Sequence, residues 1–487
     1  MSFGGLSFVA AAVVALVSSI AVARIYGVAV MGQYALALAP LTMVVALSTV
    51  REQVALVREL STLSPRTPMV TGLFTAVLTF SSVLTLLVAA AVTVISYFLF
   101  HGPIGHPEIF PSAVVLLAAY VLIQNPSWNF DAVFSAFRAG RQLFWIRLWQ
   151  AVSYLVLAVG IGLVSRTLWA ITLATAASWF AALVPRAVTA RAFVRWRVPR
   201  ETIVDGFKAL PRLVRWGLKL APWGAVMGIG NEFGVWVLGA VAPLSAVGAY
   251  SRAWLLGSRF FDLTTRVSEM LFPTLVERRT AGDVSGFDRA FIDTVRYSAA
   301  ALLLPAAAGG GAAHGVMELF GPGFSQGADA LVIILLVPVL ATVSGIQAHT
   351  LFVIDRALTV SGIALARLVT ILSLSFVLTI EVGIVGTATA IAIGYTVDVA
   401  LGSRVTGRYL KTPVSVLWRY REMAALLLAY GLGFITAHSI DTAVEGALGT
   451  LVALAGGSAA YIVIVAAGAV NRRDRERLSS SLRARRR

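Results

Sequence analysis

Apolar runs about as long as a bilayer is thick recur along the whole chain, and they constrain its fold more than any other feature. A helix needs about 20 apolar residues to cross the hydrocarbon core. The runs are too long, and alternate too little, to be strands. Fourteen runs can be read, at approximately 3–23, 33–50, 69–99, 111–136, 143–164, 168–190, 214–240, 246–272, 292–319, 328–353, 358–380, 383–406, 421–439 and 446–470. The sequence therefore predicts an all-α, polytopic membrane protein with about 14 transmembrane helices.

The composition agrees with a membrane protein and argues against nucleic acid as a partner. Of the 487 residues, 58% are hydrophobic and only 13% are charged. A soluble domain has too little interior to bury that much apolar surface. The formal charge of +16 would suit nucleic acid, but basic residues of membrane proteins collect in cytoplasmic loops. We therefore expect membrane lipids, and no nucleic acid, around this chain.

Loops rich in arginine alternate with loops that hold almost no basic residues, and this alternation predicts the orientation. With a cytoplasmic N-terminus, the outer loops hold little beyond Arg24 and Arg166. Such a bias is typical of a multi-pass protein of the cell membrane with both termini in the cytoplasm. The first run ends in Ala-Val-Ala, which resembles a signal-peptidase site, but no basic residue precedes it. We expect an uncleaved first helix.

Short motifs that recur at nearly the same offset indicate an internal repeat. Gly-Gln-Tyr at 32–34 matches Gly-Ala-Tyr at 248–250 with an offset of 216, and two further pairs have offsets of 218 and 219. Six helices per repeat is an even number, so two six-helix lobes would share one orientation. The predicted parts are an N-lobe at 1–192 (helices 1–6), a cytoplasmic basic linker at 193–212, a C-lobe at 213–410 (helices 7–12), extra helices 13–14 at 411–470 and a basic cytoplasmic tail at 471–487.

Span 8 carries five charged residues in an otherwise apolar run. Their spacings of 7, 3, 4 and 3 place them within about a third of the circumference of a regular helix. An arginine that faces lipid near the bilayer centre costs at least about 2.5–3.5 kcal/mol. The stripe is therefore expected to face water, protein or an anionic ligand. Its members are Arg252, Arg259, Asp262, Arg266 and Glu269.

Two interpretations of the stripe stay open. Asp262, Arg266 and Glu269 are three or four residues apart, so they can simply neutralise one another. Arg252 has no acidic residue one turn away, whereas Asp262 lies three residues after Arg259. We expect both arginines to bind an anionic substrate. Arg266 is a further binding candidate. So is Arg24 at the outer end of span 1, for which an anchor among the lipid headgroups is the alternative.

Acidic residues inside the spans are candidates for ion coupling or for ion pairs in a cavity. Glu232 lies in the middle of span 7 with no basic residue within one turn. It is either a proton or cation coupling site or the partner of Arg252 or Arg259. Asp131 is expected to pair with Arg138 rather than to take part in transport. Asp262 and Glu269 complete the acidic set.

One more pair of charges is expected to serve structure alone. Arg367 in span 11 and Asp398 in span 12 lie at matching depth on neighbouring spans. Opposite charges at one depth inside a bundle neutralise each other when they meet. The sequence therefore predicts a structural ion pair between spans 11 and 12.

The sequence carries no signature of an enzyme or of a metal site. It contains no Gly-rich phosphate loop, no His-Glu-x-x-His, no cysteine and no paired metal ligands. No large outer loop is available to hold the acceptor of a sugar polymerase. We expect a transporter without catalytic residues, bound metal or cofactor. Whether protons or sodium ions drive it stays open.

Five stretches carry a family resemblance: 23–41, 50–60, 231–253, 319–336 and 382–394. In their order and spacing, and with fourteen spans, they resemble the polysaccharide-type flippases of the multidrug/oligosaccharidyl-lipid/polysaccharide exporter superfamily. The resemblance implies two pseudo-symmetric six-helix lobes around a central cavity, plus a C-terminal helix pair. It also implies alternating access between inward-open and outward-open states.

The resemblance further implies a substrate, a polyprenyl-pyrophosphate-linked oligosaccharide that is moved to the outer leaflet for cell-surface polysaccharide biosynthesis. Guanidinium groups bind a pyrophosphate bidentately, which agrees with the arginines of span 8. Glycosyltransferases or a polymerase of the same pathway would be further partners. Family members often carry Asp where Glu232 stands, so a coupling role there stays open.

Alternative functions remain. A flippase for the peptidoglycan precursor and a cation-coupled drug exporter belong to the same superfamily, and a membrane enzyme of polymer assembly is a more distant alternative. The excess of arginine in span 8 argues against a drug exporter, which would prefer a carboxylate-rich cavity.

Overall fold

The computed structural model describes residues 3–48, 50, 52–218, 221–410 and 420–469. Within these residues every regular element is a helix, which confirms the predicted fold class. The helices are α1 (Phe3–Leu47), α2 (Glu52–Leu60), α3 (Pro68–His101), α4 (Phe110–Ala119), α5 (Asn125–Ala136), α6 (Gly140–Val164), α7 (Leu168–Ala190), α8 (Arg200–Leu218), α9 (Ala221–Val241), α10 (Leu244–Ser258), α11 (Phe261–Thr280), α12 (Val284–Gly311), α13 (Ala313–Glu318), α14 (Ala328–Val353), α15 (Ala357–Thr406), α16 (Tyr420–Ala443) and α17 (Gly446–Ile464).

Two of the longest helices are interrupted at a single glycine. Gly27 (φ 76°, ψ 167°) breaks α1, and Gly383 (φ 60°, ψ −130°) breaks α15. Glycine adopts such positive φ values at little steric cost. The break at Gly383 coincides with the predicted start of span 12. Nine helices in the described part of the chain are long and apolar enough to cross a membrane, and α1 and α15 each hold two predicted spans. The total of 14 stays a prediction.

The described helices form two compact units. Unit 1 contains the described residues up to Ser251 together with Phe320–Gly323, and unit 2 contains the rest. Unit 1 thus includes α9 and the first half of α10, which the sequence assigns to the C-lobe. Packing contacts define these units, whereas internal symmetry defines the predicted lobes, so the lobe boundaries stay a prediction.

The two glycines of the repeated motif lie against each other inside unit 1. A Cβ on Gly32 would overlap the carbonyl oxygen of Leu244, and a Cβ on Gly248 would overlap the carbonyl oxygen of Val28. Both pairs, 28 with 244 and 32 with 248, have the offset of 216 that the repeat predicts. The contact is therefore symmetric, and only glycine lets the two backbones approach so closely.

The linker predicted at 193–212 leads into a helix that is docked on unit 1. α8 packs along α3 and α2, and a Cβ on Gly206 would overlap the backbone of Gly72. Leu213 is buried in the same apolar cluster as Leu56, Phe74 and Phe134. The linker is therefore part of the packed unit.

The core of unit 2 lies between α11, α12 and α14, where Leu275, Phe291 and Ile346 are buried. The C-terminal helices α16 and α17 pack on α12. The Tyr461 hydroxyl of α17 donates a 2.7 Å hydrogen bond to the carbonyl oxygen of Ala300. The C-terminal pair is thus attached to unit 2 by both apolar and polar contacts.

Candidate functional site

Span 8 is not one helix. α10 ends at Ser258 and α11 begins at Phe261. The N–H groups of Arg259 and Phe260 donate to carbonyl oxygens three residues earlier, at 3.3 and 3.1 Å, which is the spacing of a tight turn. The expectation of one regular helix through 246–272 is therefore wrong, because a two-residue turn at Arg259 and Phe260 separates α10 from α11.

The break follows a glycine that packs closely on α14. A Cβ on Gly257 would overlap the side chain of Ile334, so this position brings α10 close to its neighbour. Glycine is also a poor helix former. Close packing and low helix propensity thus coincide at the point where the helix ends.

Of the two arginines expected to bind substrate, one lies on α10 before this turn and the other lies in the turn itself, and both belong to unit 2. Arg252 is half-buried on α10, and Arg259 is exposed in the turn itself. The aromatic ring of Phe261 follows at once and contacts Trp254 and Tyr395, at centroid distances of 5.9 and 6.1 Å. The turn thus leaves Arg259 exposed, two residues before a ring that belongs to an aromatic cluster.

The other three residues of the predicted stripe follow the turn. Asp262, Arg266 and Glu269 belong to α11, and their side chains lie outside the described part of the structure. Their roles as a substrate ligand or as a neutralising set stay predictions.

Arg24 lies three residues before the break in α1. It is exposed, whereas its neighbours Ala23 and Tyr26 are buried, and the Tyr26 hydroxyl donates to the carbonyl oxygen of Ala158 at 2.9 Å. A Cβ on Gly321 would stand 3.5 Å from the Arg24 Cγ atom. Gly321 therefore lies close to the Arg24 side chain, and an added Cβ would make only an ordinary van der Waals contact with it.

Glu232 lies on α9 within unit 1, beside two hydroxyl groups. Its carboxyl group shares a hydrogen bond with Thr42 of α1, and Tyr250 of α10 is close enough to interact with it electrostatically. Tyr250 is fully buried, and its hydroxyl has no hydrogen-bond partner in the described part of the chain. A buried phenol without a partner is costly.

Trp236 stands one turn further along α9. It is 7% exposed, its indole N–H has no hydrogen-bond partner among the described residues, and its ring contacts Phe100 at 5.9 Å. We call Thr42, Glu232, Trp236 and Tyr250 the Glu232 cluster. Nothing in the local sequence marks Thr42 as a member, because helix packing alone brings it from α1 to Glu232, whereas Trp236 lies one turn away on the same helix.

The chemistry of the Glu232 cluster suits a proton or a monovalent cation. It offers one carboxyl group and two hydroxyls, and the Tyr250 hydroxyl has no hydrogen-bond partner among the described residues. Across the described residues, no group of three His, Cys, Asp or Glu could hold a metal ion.

The predicted partner of Asp131 is wrong. Asp131 accepts hydrogen bonds from Arg186 at 2.9 Å and from Arg147 at 3.3 Å, instead of pairing with Arg138. Arg138 lies beyond the end of α5 in the left-handed region, with a φ of 55°, whereas α7 brings Arg186 directly to α5. Gln150 accepts a further hydrogen bond from Arg186 at 3.0 Å.

The predicted structural ion pair of spans 11 and 12 is confirmed. Arg367 donates to Asp398 at 2.7 Å, and both side chains are less than 10% exposed. The guanidinium also lies 4.7 Å from the centroid of the Tyr395 ring, a distance that favours a cation–π contact.

The chain is similar in fold to solved membrane transporters. The lipid II flippase MurJ in an inward closed conformation matches with a TM-score of 0.65 and 14% identity, over 94% of this chain and 97% of that chain. An inward-facing multidrug resistance MATE family transporter of the MOP superfamily matches with a TM-score of 0.63 and 15% identity, over 83% and 95%. The eukaryotic MATE transporter AtDTX14 matches with a TM-score of 0.52 and 14% identity, over 85% and 94%.

These similarities concern the fold. Neither a family model nor a curated protein sequence matches the chain. The matched structures are flippases and transporters rather than enzymes. They confirm the all-helical transporter fold that the sequence resemblance implied.

Proposed function

We propose that this protein is a flippase that moves a polyprenyl-pyrophosphate-linked oligosaccharide from the cytoplasmic to the outer leaflet by alternating access. The observation that carries the proposal is the match to a lipid flippase over 94% of the chain, against 83% for the MATE transporter.

The accessible arginines supply the chemistry for this substrate. A pyrophosphate concentrates negative charge, and guanidinium groups bind it through charge-assisted, bidentate hydrogen bonds. Arg24 and Arg259 are exposed, and Arg252 is half-buried, so an anionic headgroup can reach these side chains. We assign the recognition of the pyrophosphate to Arg252 and Arg259 of unit 2, and Arg24 of unit 1 stays a separate candidate.

The second candidate function is the flipping of the peptidoglycan precursor. The similarity to the lipid II flippase favours it, and the same arginines would serve a lipid-linked substrate of that kind. A cation-coupled drug exporter is less well supported, because an arginine-rich site repels cationic drugs. The probes used below separate the first two candidates.

Binding of lipid-linked substrates should depend on the guanidinium groups. Arg252→Gln and Arg259→Gln should each weaken binding of a fluorescent polyprenyl-pyrophosphate disaccharide by about 10- to 100-fold, because each removes a charge-assisted hydrogen bond. Binding is measured with the full chain in nanodiscs, and the peptidoglycan precursor serves as the second probe. The probe that the wild type binds with the higher affinity identifies the substrate class.

A matched control uses an arginine away from the proposed site. Arg289→Gln on α12 replaces an exposed side chain whose described hydrogen bonds go only to Ser285. It should bind both probes like the wild type. Unchanged binding in Arg252→Gln and Arg259→Gln would contradict the assignment of the pyrophosphate to these residues.

We further propose that the Glu232 cluster couples flipping to an ion gradient. The Thr42 hydroxyl donates its single proton to the carbonyl oxygen of Ala39 at 2.8 Å. In that state it can only accept from Glu232, which must then be protonated. When Glu232 is ionised, the Thr42 proton has to turn toward the carboxylate. Proton release at Glu232 would thus rearrange a hydrogen bond inside α1.

Glu232→Gln should abolish the response of flipping to an imposed ion gradient. Without a gradient, the variant should still exchange the lipid-linked substrate between the two leaflets. The glutamine keeps the shape of the side chain but cannot release a proton or take an ionic charge. Proteoliposomes with an imposed proton gradient or sodium gradient report the effect, and they also distinguish the two ions. Glu445→Gln, at an exposed site in unit 2, is the control and should respond normally. A full gradient response in Glu232→Gln would refute the coupling role.

A further inference from the structure

The linker helix α8 has a fixed orientation on unit 1. Arg212 forms a 2.8 Å ion pair with Glu59. Before the helix, Thr71 exchanges two 3.0 Å hydrogen bonds with the backbone of Arg195, and the backbone N–H of Arg66 donates to the carbonyl oxygen of Phe193 at 2.8 Å. Together with the contact of Gly206 on Gly72, these bonds determine which face of α8 points away from the unit.

That outer face carries an apolar strip. Val204, Phe207 and Leu218 are 44%, 39% and 51% exposed. At about 100° per residue, the three positions lie within about 60° of one another around the helix. The centre of the strip lies about 140° around the helix from the side on which Gly206 and Leu213 are buried. α8 is therefore apolar on both sides, and only its inner side is covered by the described part of the protein.

Basic residues border the strip. Lys208 and Arg215 lie next to it on the helix surface, and both are exposed. Arg215 forms no ion pair with any residue that the structure describes, and the 2.9 Å pair of Lys208 with Asp205 joins two largely exposed side chains. Exposed pairs of this kind contribute little energy. Both cations are therefore available to an anionic partner.

The position of α8 along α3 points to a lipid partner. Leu213 belongs to the same buried cluster as Val77. Six residues further, about 9 Å at 1.5 Å per residue, α3 begins to expose large apolar side chains at Val83, and it continues to do so at Leu86 and Leu87. Such exposed apolar residues on a long membrane helix face lipid. The headgroup layer is about 5–8 Å thick, so the second half of α8 lies at its level.

We propose that the outer face of α8, formed by Val204, Phe207, Lys208, Arg215 and Leu218, binds anionic phospholipids. The apolar strip would enter the boundary between headgroups and acyl chains, and the two cations would contact lipid phosphates. A helix with an apolar strip beside basic residues is typical of this arrangement. By the predicted orientation these lipids belong to the cytoplasmic leaflet. The proposal does not depend on which substrate the protein flips.

The absence of cysteine makes a direct test possible, because a single introduced cysteine is a unique labelling site. Phe207→Cys in the full chain is labelled with a fluorophore and reconstituted with brominated phospholipids, which quench on contact. Brominated phosphatidylglycerol should quench more strongly than brominated phosphatidylcholine. Each basic residue near an anionic surface favours binding about fivefold, so Lys208→Gln together with Arg215→Gln should remove the preference.

Leu87→Cys on α3 is the control label. This residue is 64% exposed and has no basic residue within one turn, so both brominated lipids should quench it equally. The same label in the Lys208→Gln/Arg215→Gln background should behave as before, which shows that the double variant keeps its fold.

Three results would overturn the proposal. A label at 207 that iodide in water quenches, while neither lipid does, would place the outer face in water or under another protein. Equal quenching by the two lipids would remove the anionic selectivity. Loss of the preference on addition of inorganic phosphate would identify a site for free phosphate instead of a lipid headgroup.

Discussion

Asp131→Ala should destabilise the protein by about 3–5 kcal/mol, because it leaves the Arg186 guanidinium buried without its counter-charge. The Arg186 side chain is only 2% exposed. In the native protein, Asp131 and Gln150 accept its Nε and Nη2 hydrogens. Removing the carboxylate takes away the only negative partner that the described residues give it. A denaturant titration in mixed micelles measures the loss in the free energy of unfolding.

Two further variants separate a buried ion pair from a general loss of packing. Arg147→Ala removes the other partner of Asp131. Because the Arg147 side chain is 58% exposed, this change should lower the free energy of unfolding by less than about 1 kcal/mol. The double variant Asp131→Leu/Arg186→Met replaces both buried charges by apolar groups and should recover much of the stability. An Asp131→Ala variant as stable as Arg147→Ala would show that the buried pair contributes little.

Gly248→Ala should destabilise unit 1 by about 1–3 kcal/mol, because the added methyl group overlaps backbone in a contact that cannot relax without separating two helices. The overlap is with the carbonyl oxygen of Val28. Gly32→Ala should have a similar effect, because the contact is symmetric. The double variant should lose less stability than the sum of the two single losses, because either methyl group alone already separates the helices. Thermal unfolding of the purified chain measures all three.

Gly160→Ala is the matched control for these variants. Gly160 is also a helical glycine of unit 1, but a Cβ there would meet nothing within 4 Å. Alanine is the better helix former, so this change should leave the stability unaltered or raise it by up to about 1 kcal/mol. Equal effects at 160 and 248 would mean that the repeated glycines are not needed for close helix packing.

The hydropathy of the chain was sufficient to predict its fold, and at one point also the position of a break. Span lengths follow from the bilayer thickness, which is the same for every helix. The break at Gly383 falls between two long apolar runs, so it leaves a mark in the sequence. The turn at Arg259 and Phe260 leaves no such mark, because two residues hardly change the mean hydropathy of a window that holds a whole span.

The site was only partly predictable, because its contacts join distant segments. Glu232 stands out as a charge in an apolar run, whereas Thr42 and Trp236 are neutral and common in membrane helices. The place of Thr42 beside Glu232 depends on the packing of α1 on α9, whereas Trp236 lies one turn from Glu232 on the same helix. The same reason explains the wrong partner of Asp131. Proximity in sequence suggested Arg138, but the packing of α7 on α5 selects Arg186, 55 residues away.

The central claim is that accessible arginines carry a lipid-linked pyrophosphate across the bilayer, and flipping by the purified chain tests it most directly. Proteoliposomes hold a polyprenyl-pyrophosphate disaccharide with a fluorophore that an impermeant reductant bleaches only in the outer leaflet. We expect the wild type and Arg289→Gln to make nearly all of the probe accessible, and the Arg252→Gln/Arg259→Gln variant to leave the inner half protected. Protection of the inner half with the wild type, or full bleaching with the double variant, would contradict it.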